Sequence, residues 1–137
     1  MTQISNINNT FESYQKLISF YQANKDKQFE DIHISITKWF AANMCSALGG
    51  LLNILSSRLN NIKLDQISPS IERILQKNDF LSYFDREKIA DNYHTTICYL
   101  KLKPTDGKYF NSYVINDLLG RNELPRMSEL VKEKMAE

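Results

Sequence analysis

The chain has 137 residues, of which 42% are hydrophobic and 24% charged, and these proportions are typical of a folded globular domain. Its 17 Lys and Arg residues nearly balance its 16 Asp and Glu residues. Because binding to a phosphate backbone depends on an excess of positive charge, this balance argues against a nucleic-acid-binding protein.

The sequence contains no pattern typical of export or of a membrane span. The first eleven residues are polar and lack the basic-then-apolar pattern of a secretory signal. No apolar run approaches the roughly 20 residues that span a bilayer. Cys45 and Cys98 are far apart and fit no disulfide or zinc-site spacing. We therefore expect a cytoplasmic protein without a membrane segment, a metal site or a disulfide.

The amino-terminal third predicts one helix and one strand. Residues 1–9 are rich in Asn, Ser and Thr, and we expect them to be loose. A helix capped by Asn9 or Thr10 is expected to reach Asn24, with apolar residues at spacings of three or four on one stripe. That stripe consists of Phe11, Tyr14, Leu17, Ile18 and Tyr21. The alternation of isoleucine with polar residues then predicts a strand over Asp31–Thr37.

The middle of the chain predicts a second helix, a second strand and a third helix. A helical period of leucines covers about residues 43–59, and a short strand follows around Ile62–Ile67. Ser68 and Pro69 are typical of a helix start, and this helix is expected to end near Asn78. Gly49 and Gly50 lie within the helical period, where we expect them to permit close packing.

The last third predicts a third strand and two further helices. Thr95–Lys101 is rich in residues that favour strands. A helix over Tyr109–Leu119 is expected to end at Gly120, and a charged helix is expected to follow Ser128 to Glu137.

Strands separated by helices imply right-handed β-α-β crossovers. The sequence therefore predicts an α/β fold with a small, mostly parallel sheet of three to four strands and flanking helices at both ends. We expect an N-terminal helical segment over residues 1–28, an α/β core over residues 29–103 and a C-terminal helical connector over residues 104–137.

No residue pattern predicts catalysis or a cofactor. His33 and His94 have no partner at metal-ligand spacing, and the glycine pair matches no phosphate-binding motif. Cys45 lies at a predicted helix start, where a thiol can become reactive, but burial as a small hydrophobic residue is the main expectation. We therefore predict that the protein is not an enzyme.

Three runs of sequence resemble a known family. These are IHISITKWFAANMCSALGGLL, then IKLDQISPSIERILQKNDF, then DNYHTTICYLKLKPTDGKYFNSYVINDLLGRNELPRMSELVKEKM. Together they resemble a STAS-like domain of the type that precedes a histidine-kinase-like (GHKL) ATPase domain in some bacterial proteins. The likeness extends over about residues 29–135 and implies a regulatory, signalling module that acts with an ATPase domain.

The sequence departs from the family at one functional position. Regulated STAS domains carry a phosphorylatable hydroxyl where the first core strand meets its helix. Here that position holds Ala41, Ala42, Asn43 and Met44, so phosphorylation at this point is not implied. The chain also ends at Glu137 without an ATPase motif, so the resemblance implies no bound ATP within these residues.

Two functional hypotheses follow. In the first, the chain is a non-catalytic protein-interaction module that contacts a partner protein or an adjoining ATPase domain. The candidate contact residues are Trp39, Asn43, Met44 and Arg58, and Lys103 is added as a candidate for either a partner or a ligand. In the alternative, the strand-to-helix segment 38–44 binds a small molecule, nucleotide or anion with Lys38, Lys101 or Lys103. The sequence leaves the oligomeric state open.

Overall fold

The computed structural model describes residues 2–121 and 123–137. These residues form two compact units, the first ending at Tyr99 and the second running from Leu100 to Glu137. Among the described residues, no helix is both long and apolar enough to cross a membrane.

The first unit contains a three-stranded parallel sheet, as predicted. Its strands are β1 (Thr2–Ile7), β2 (Asp31–Phe40) and β3 (Asn61–Ile67), in the order β1-β2-β3. Helix α1 (Phe11–Asn24) connects β1 to β2, and helix α2 (Cys45–Ser56) connects β2 to β3. The predicted α/β class with β-α-β crossovers is therefore confirmed.

The sheet has one apolar face. Alternate residues of a strand point to opposite faces, and the isoleucines of β2 are buried on the face that the helices cover. Neighbouring strands add Ile4 and Ile7 from β1 and, partly buried, Ile62 and Leu64 from β3. Helices α1 and α2 contact each other and supply the opposing core residues: Leu17, Phe20, Leu48, Leu52 and Leu55.

The other face of the sheet is polar. His33 Nδ1 lies 3.0 Å from both carboxylate oxygens of Asp65 on the neighbouring strand. Gln3 Nε2 donates to Thr37 Oγ1 at 2.8 Å across the other strand pair. Parallel sheets are usually covered on both faces, whereas the sheet of the first unit has its core on one face.

The expectation that residues 1–9 are loose is wrong, because Thr2–Ile7 forms the edge strand β1. Its alternation is short and is interrupted at Asn6, which has a φ of 53°. The pairing with β2 shifts register there, between Ser5 and Ile7. This bulge places both Ile4 and Ile7 in the core although they are three residues apart, which hides the strand period in the sequence.

The expectation of a strand over Thr95–Lys101 is also wrong, because this segment has no strand or helix. The Asp91 carboxylate accepts hydrogen bonds from the backbone N–H and the hydroxyl of both Thr95 and Thr96, at 2.8–3.0 Å. Burial raises the pKa of Asp91, but these hydrogen bonds lower it more, and the net pKa lies below its usual range. A local turn thus replaces the β ladder that the threonines favour.

Helix α1 has the predicted bounds, with the Thr10 hydroxyl accepting from Ser13 N–H as its cap. The predicted stripe, however, is divided between two faces. Of its five apolar residues, Leu17 is buried and Tyr21 is partly buried, whereas Phe11, Tyr14 and Ile18 are exposed. The face towards the sheet consists of Ser13, Leu17, Phe20 and Asn24.

The helix predicted over residues 43–59 is shorter. A 3₁₀ turn over Ala42–Met44 precedes α2, which ends at Ser56. Helix α3 (Pro69–Lys77) begins as predicted after Ser68, whose N–H donates to Ile36 O at 3.0 Å. A further 3₁₀ turn over Leu81–Phe84 follows it.

The second unit is helical. Helix α4 (Gly107–Tyr113) continues as a π-helical turn over Val114–Leu118, and helix α5 (Glu129–Ala136) begins after Ser128, which caps it through Val131 N–H. The two predicted helices are therefore present in this unit, with altered bounds.

The glycine pair in α2 has two different environments. A Cβ at Gly49 would lie 2.9 Å from Tyr99 Cζ and even closer to Tyr99 Oη, whereas a Cβ at Gly50 would have no neighbour within 4 Å. Tyr99 cannot easily move, because its ring makes edge-to-face contacts with Phe80 at 4.9 Å and Tyr83 at 5.4 Å between centroids. The predicted close packing therefore applies to Gly49 alone.

This difference gives a matched pair of substitutions. Gly49→Ala should lower the free energy of unfolding by about 1–3 kcal/mol, because the new methyl group displaces the packed Tyr99 ring. Gly50→Ala should raise it by about 0.5–1 kcal/mol through helix propensity alone. Urea denaturation followed by circular dichroism measures both changes. Equal effects of the two substitutions would contradict the packing of Tyr99 on α2.

Candidate interaction surface

Two of the sequence-predicted contact residues lie at the carboxyl end of the sheet. Trp39, near the end of β2, has 52% of its surface exposed. Lys38 before it has a φ of 66° and is exposed, although unbroken alternation with Ile34 and Ile36 would direct it into the core. Phe40 after it is buried. The exposed Asn43 donates through Nδ2 to Asn9 Oδ1 at 2.6 Å and so joins the loop after β2 to the loop after β1.

The other predicted contact residues have different environments. Met44 is buried in the core with 1% of its surface exposed, so its side chain has no surface to offer a partner. Arg58 follows the far end of α2, and this 12-residue helix, about 18 Å long, separates it from Asn43. Lys103 belongs to the second unit, where its backbone N–H donates to Asp106 Oδ2 at 2.9 Å.

The structure also reveals an exposed apolar surface on α1, formed by three residues of the predicted stripe. Phe11, Tyr14 and Ile18 of α1 are 78%, 47% and 53% exposed. At spacings of three and four, they lie in line along one side of the helix, and we call them the outer stripe. The helix has apolar residues over more than one face, and that excess was the signal that sequence reasoning missed.

Cys45 is a buried structural residue. Burial raises the pKa of its thiol to about 12. The hydrogen bond that Asn78 Nδ2 donates to Cys45 Sγ, at 3.5 Å, lowers this pKa but by less than burial raises it. Burial also raises the pKa of nearby Tyr99, with further contributions from Tyr83 and Cys45. A thiol with a raised pKa is a poor nucleophile at neutral pH, so the geometry does not support a reactive Cys45.

Asn78 links the elements around this thiol. Its side-chain oxygen accepts from Phe80 N–H at 3.0 Å, and its carbonyl accepts from Tyr99 N–H at 2.7 Å. One buried asparagine thereby joins the end of α3, the start of α2 and the segment that carries the aromatic cluster.

The described residues contain no cluster of potential metal ligands. Within residues 2–121 and 123–137, there is no group of three or more His, Cys, Asp or Glu side chains that could hold a metal ion. His33 pairs with Asp65 on the polar sheet face, and its side chain is 47% exposed.

Comparisons with known proteins leave the family unassigned. No protein-family model, curated protein or solved structure matches the chain.

The raised pKa of Cys45 predicts a pH dependence of stability. The unfolded thiol, with a pKa near 9.0, releases its proton as the pH rises, while the folded thiol keeps its proton up to a pKa of about 12. The free energy of unfolding should therefore fall by about 1.4 kcal/mol between pH 8 and pH 10.

Urea denaturation at both pH values measures this loss. Cys45→Ala should remove most of the pH-dependent loss and leave the smaller part due to Tyr99, whose pKa is also raised, whereas Cys98→Ala should retain the whole loss. An unchanged loss in the Cys45→Ala variant would show that another group is responsible.

Proposed function

We propose that the chain is a non-catalytic protein-interaction module of the STAS-like class that binds a partner protein through the outer stripe of α1. The observation that carries this proposal is the exposure of Phe11, Tyr14 and Ile18 in one line. Three large apolar side chains in one helical line form a contiguous surface of the kind that marks protein contacts, unlike single exposed residues. Trp39 lies at the same end of the fold as Phe11, because α1 begins just after the carboxyl end of β1.

The proposed binding mode follows from the geometry of α1. The helix packs on the sheet through a different side, which fixes its position before a partner arrives. A preformed apolar stripe lets a partner bury aromatic and aliphatic surface with little ordering cost. Trp39 and Asn43 are exposed at the end of the sheet where α1 begins and are further candidates for the contact, whereas the buried Met44 is not.

The partner that we propose is a histidine-kinase-like ATPase domain, either in the same protein or in a separate chain. The support for this partner is the sequence resemblance, and the parallel α/β sheet of the first unit is compatible with it. In this proposal the module has a regulatory, signalling role.

The alternative, a small-molecule or anion site over residues 38–44, stays a prediction. The Asn43 side-chain amide in this segment already donates to Asn9.

Adjacent substitutions on α1 test the interaction surface. Ile18→Asp places a charge in the outer stripe and should weaken binding at least about tenfold, since burying one isoleucine contributes about 1.5–3 kcal/mol. Ser19→Asp adds the same charge one residue later, on the polar side of the helix, and should change the Kd less than about twofold.

Isothermal titration calorimetry with the ATPase domain encoded in or beside the same gene measures both Kd values. Equal weakening by the two substitutions, or no effect of Ile18→Asp, would refute the outer stripe as the contact. Binding of neither the wild type nor the variants would refute the proposed partner.

A further inference from the structure

Strand β1 has one edge that no strand covers. It pairs with β2 on one side, and in the described part of the chain the sheet ends at β1 on the other. Backbone N–H and C=O groups along an uncovered strand edge are available to pair with another strand.

The contacts of Lys16 show which residues face this edge. Lys16 Nζ, on α1, donates to the carbonyl oxygens of Ser5 and Asn6 at 3.4 and 3.3 Å, so the Ser5 carbonyl faces away from β2. Backbone groups of alternate residues point to opposite sides of a strand. Gln3 therefore also directs its N–H and C=O outward, while Ile4 directs its own towards β2.

The opposite edge of the sheet is protected. Arg86 Nη2 donates to Leu64 O of β3 at 3.2 Å, and Arg86 Nη1 is held by Glu72 Oε1 at 2.9 Å. Charged residues across a strand edge are a common defence against edge-to-edge pairing. Strand β1 contains no charge and no proline, and Lys16 contacts it near its carboxyl end, at the carbonyl oxygens of Ser5 and Asn6.

The space beside β1 is open as well. A groove of about 580 Å³ runs between Thr2–Ser5 and the polar side of α1. It is lined from the helix by Glu12, Gln15, Lys16, Ser19, Phe20 and Ala23. This space lies beside the outward backbone groups of Gln3 and Ser5.

We propose that a second copy of this chain occupies this edge, with the two β1 strands antiparallel about a twofold axis at Ile4. A twofold axis perpendicular to the sheet makes the paired strands antiparallel. Gln3 then lies opposite Ser5 of the second copy, and the two residues exchange both N–H···O=C hydrogen bonds. The twofold axis also places Ser5 opposite Gln3 of the second copy, so the exchange occurs twice and gives four hydrogen bonds. The two sheets then form one continuous six-stranded sheet.

Charge favours a second copy as the occupant. In twofold pairing a strand faces its own sequence, and like charges placed opposite each other are destabilising. The sequence Thr2–Ile7 has no charged residue, and the net charge of the whole chain is only +1. The Ser5 carbonyl has a second lone pair for the new bond while Lys16 remains on Asn6. An antiparallel strand at the edge of a parallel sheet is a common arrangement.

This dimer is independent of the partner proposed above, because it uses the polar side of α1 and leaves the outer stripe free. Sedimentation equilibrium over a concentration series tests it with the full chain. The wild-type mass should rise from 16.0 kDa towards twice that value as the concentration increases. A mass of one chain at every concentration would overturn the proposal. It would do so even if a strand of a different protein occupies the edge of β1.

Two double variants test the register. Gln3→Glu with Ser5→Glu puts like charges opposite each other twice and should weaken dimerisation about tenfold. Gln3→Lys with Ser5→Glu puts opposite charges in the same places and should restore or exceed the wild-type affinity. Lys63→Glu, on β3, is the control and should leave the dimer unchanged.

Thermal melts confirm that each variant is folded before its mass is interpreted. If the Glu/Glu variant does not fold, the Lys/Glu variant still tests the register, because only the proposed pairing converts its two charges into attraction. Weakening of the dimer by the Lys/Glu variant, or as much weakening by Lys63→Glu, would overturn the β1 pairing.

Discussion

The first unit depends on the position of β2 in the centre of a parallel sheet with a single apolar face. Ile32, Ile34 and Ile36 are almost fully buried, each within a strand that is paired on both sides. Because the crossovers join neighbouring strands in order, α1 and α2 must both lie on the isoleucine side. The polar face, the two sheet edges and the outer stripe of α1 are all consequences of this arrangement.

The fold class was predictable because β2, α2, β3 and α3 follow their own periodicities. The errors came from tertiary and side-chain interactions that periodicity does not contain. Strand β1 is held by pairing to β2 and is bent at Asn6, so its two isoleucines do not alternate. The Thr95–Thr96 segment favours a strand locally, but the Asp91 carboxylate supplies the hydrogen bonds that a neighbouring strand would otherwise supply.

The candidate surface was only partly predictable. Trp39 and Asn43 are exposed at the carboxyl end of the sheet, as their place beyond the predicted strand Asp31–Thr37 suggests. Met44 is buried because a 3₁₀ turn precedes α2 and directs this residue into the core. The sequence predicted a single apolar stripe on α1, because spacing identifies apolar positions on a helix but not which of two apolar sides meets the sheet. The uncovered edge of β1 was not predictable while β1 itself was unrecognised.

Residue-resolved hydrogen exchange tests the central claim, that β1 rather than the 95–101 segment completes a sheet centred on β2. The account predicts slow exchange at Ile34 and Ile36, slow exchange at Ile4, whose N–H faces β2, and fast exchange at Ile97. Fast exchange throughout residues 2–7 together with slow, alternating protection over residues 95–101 would contradict it.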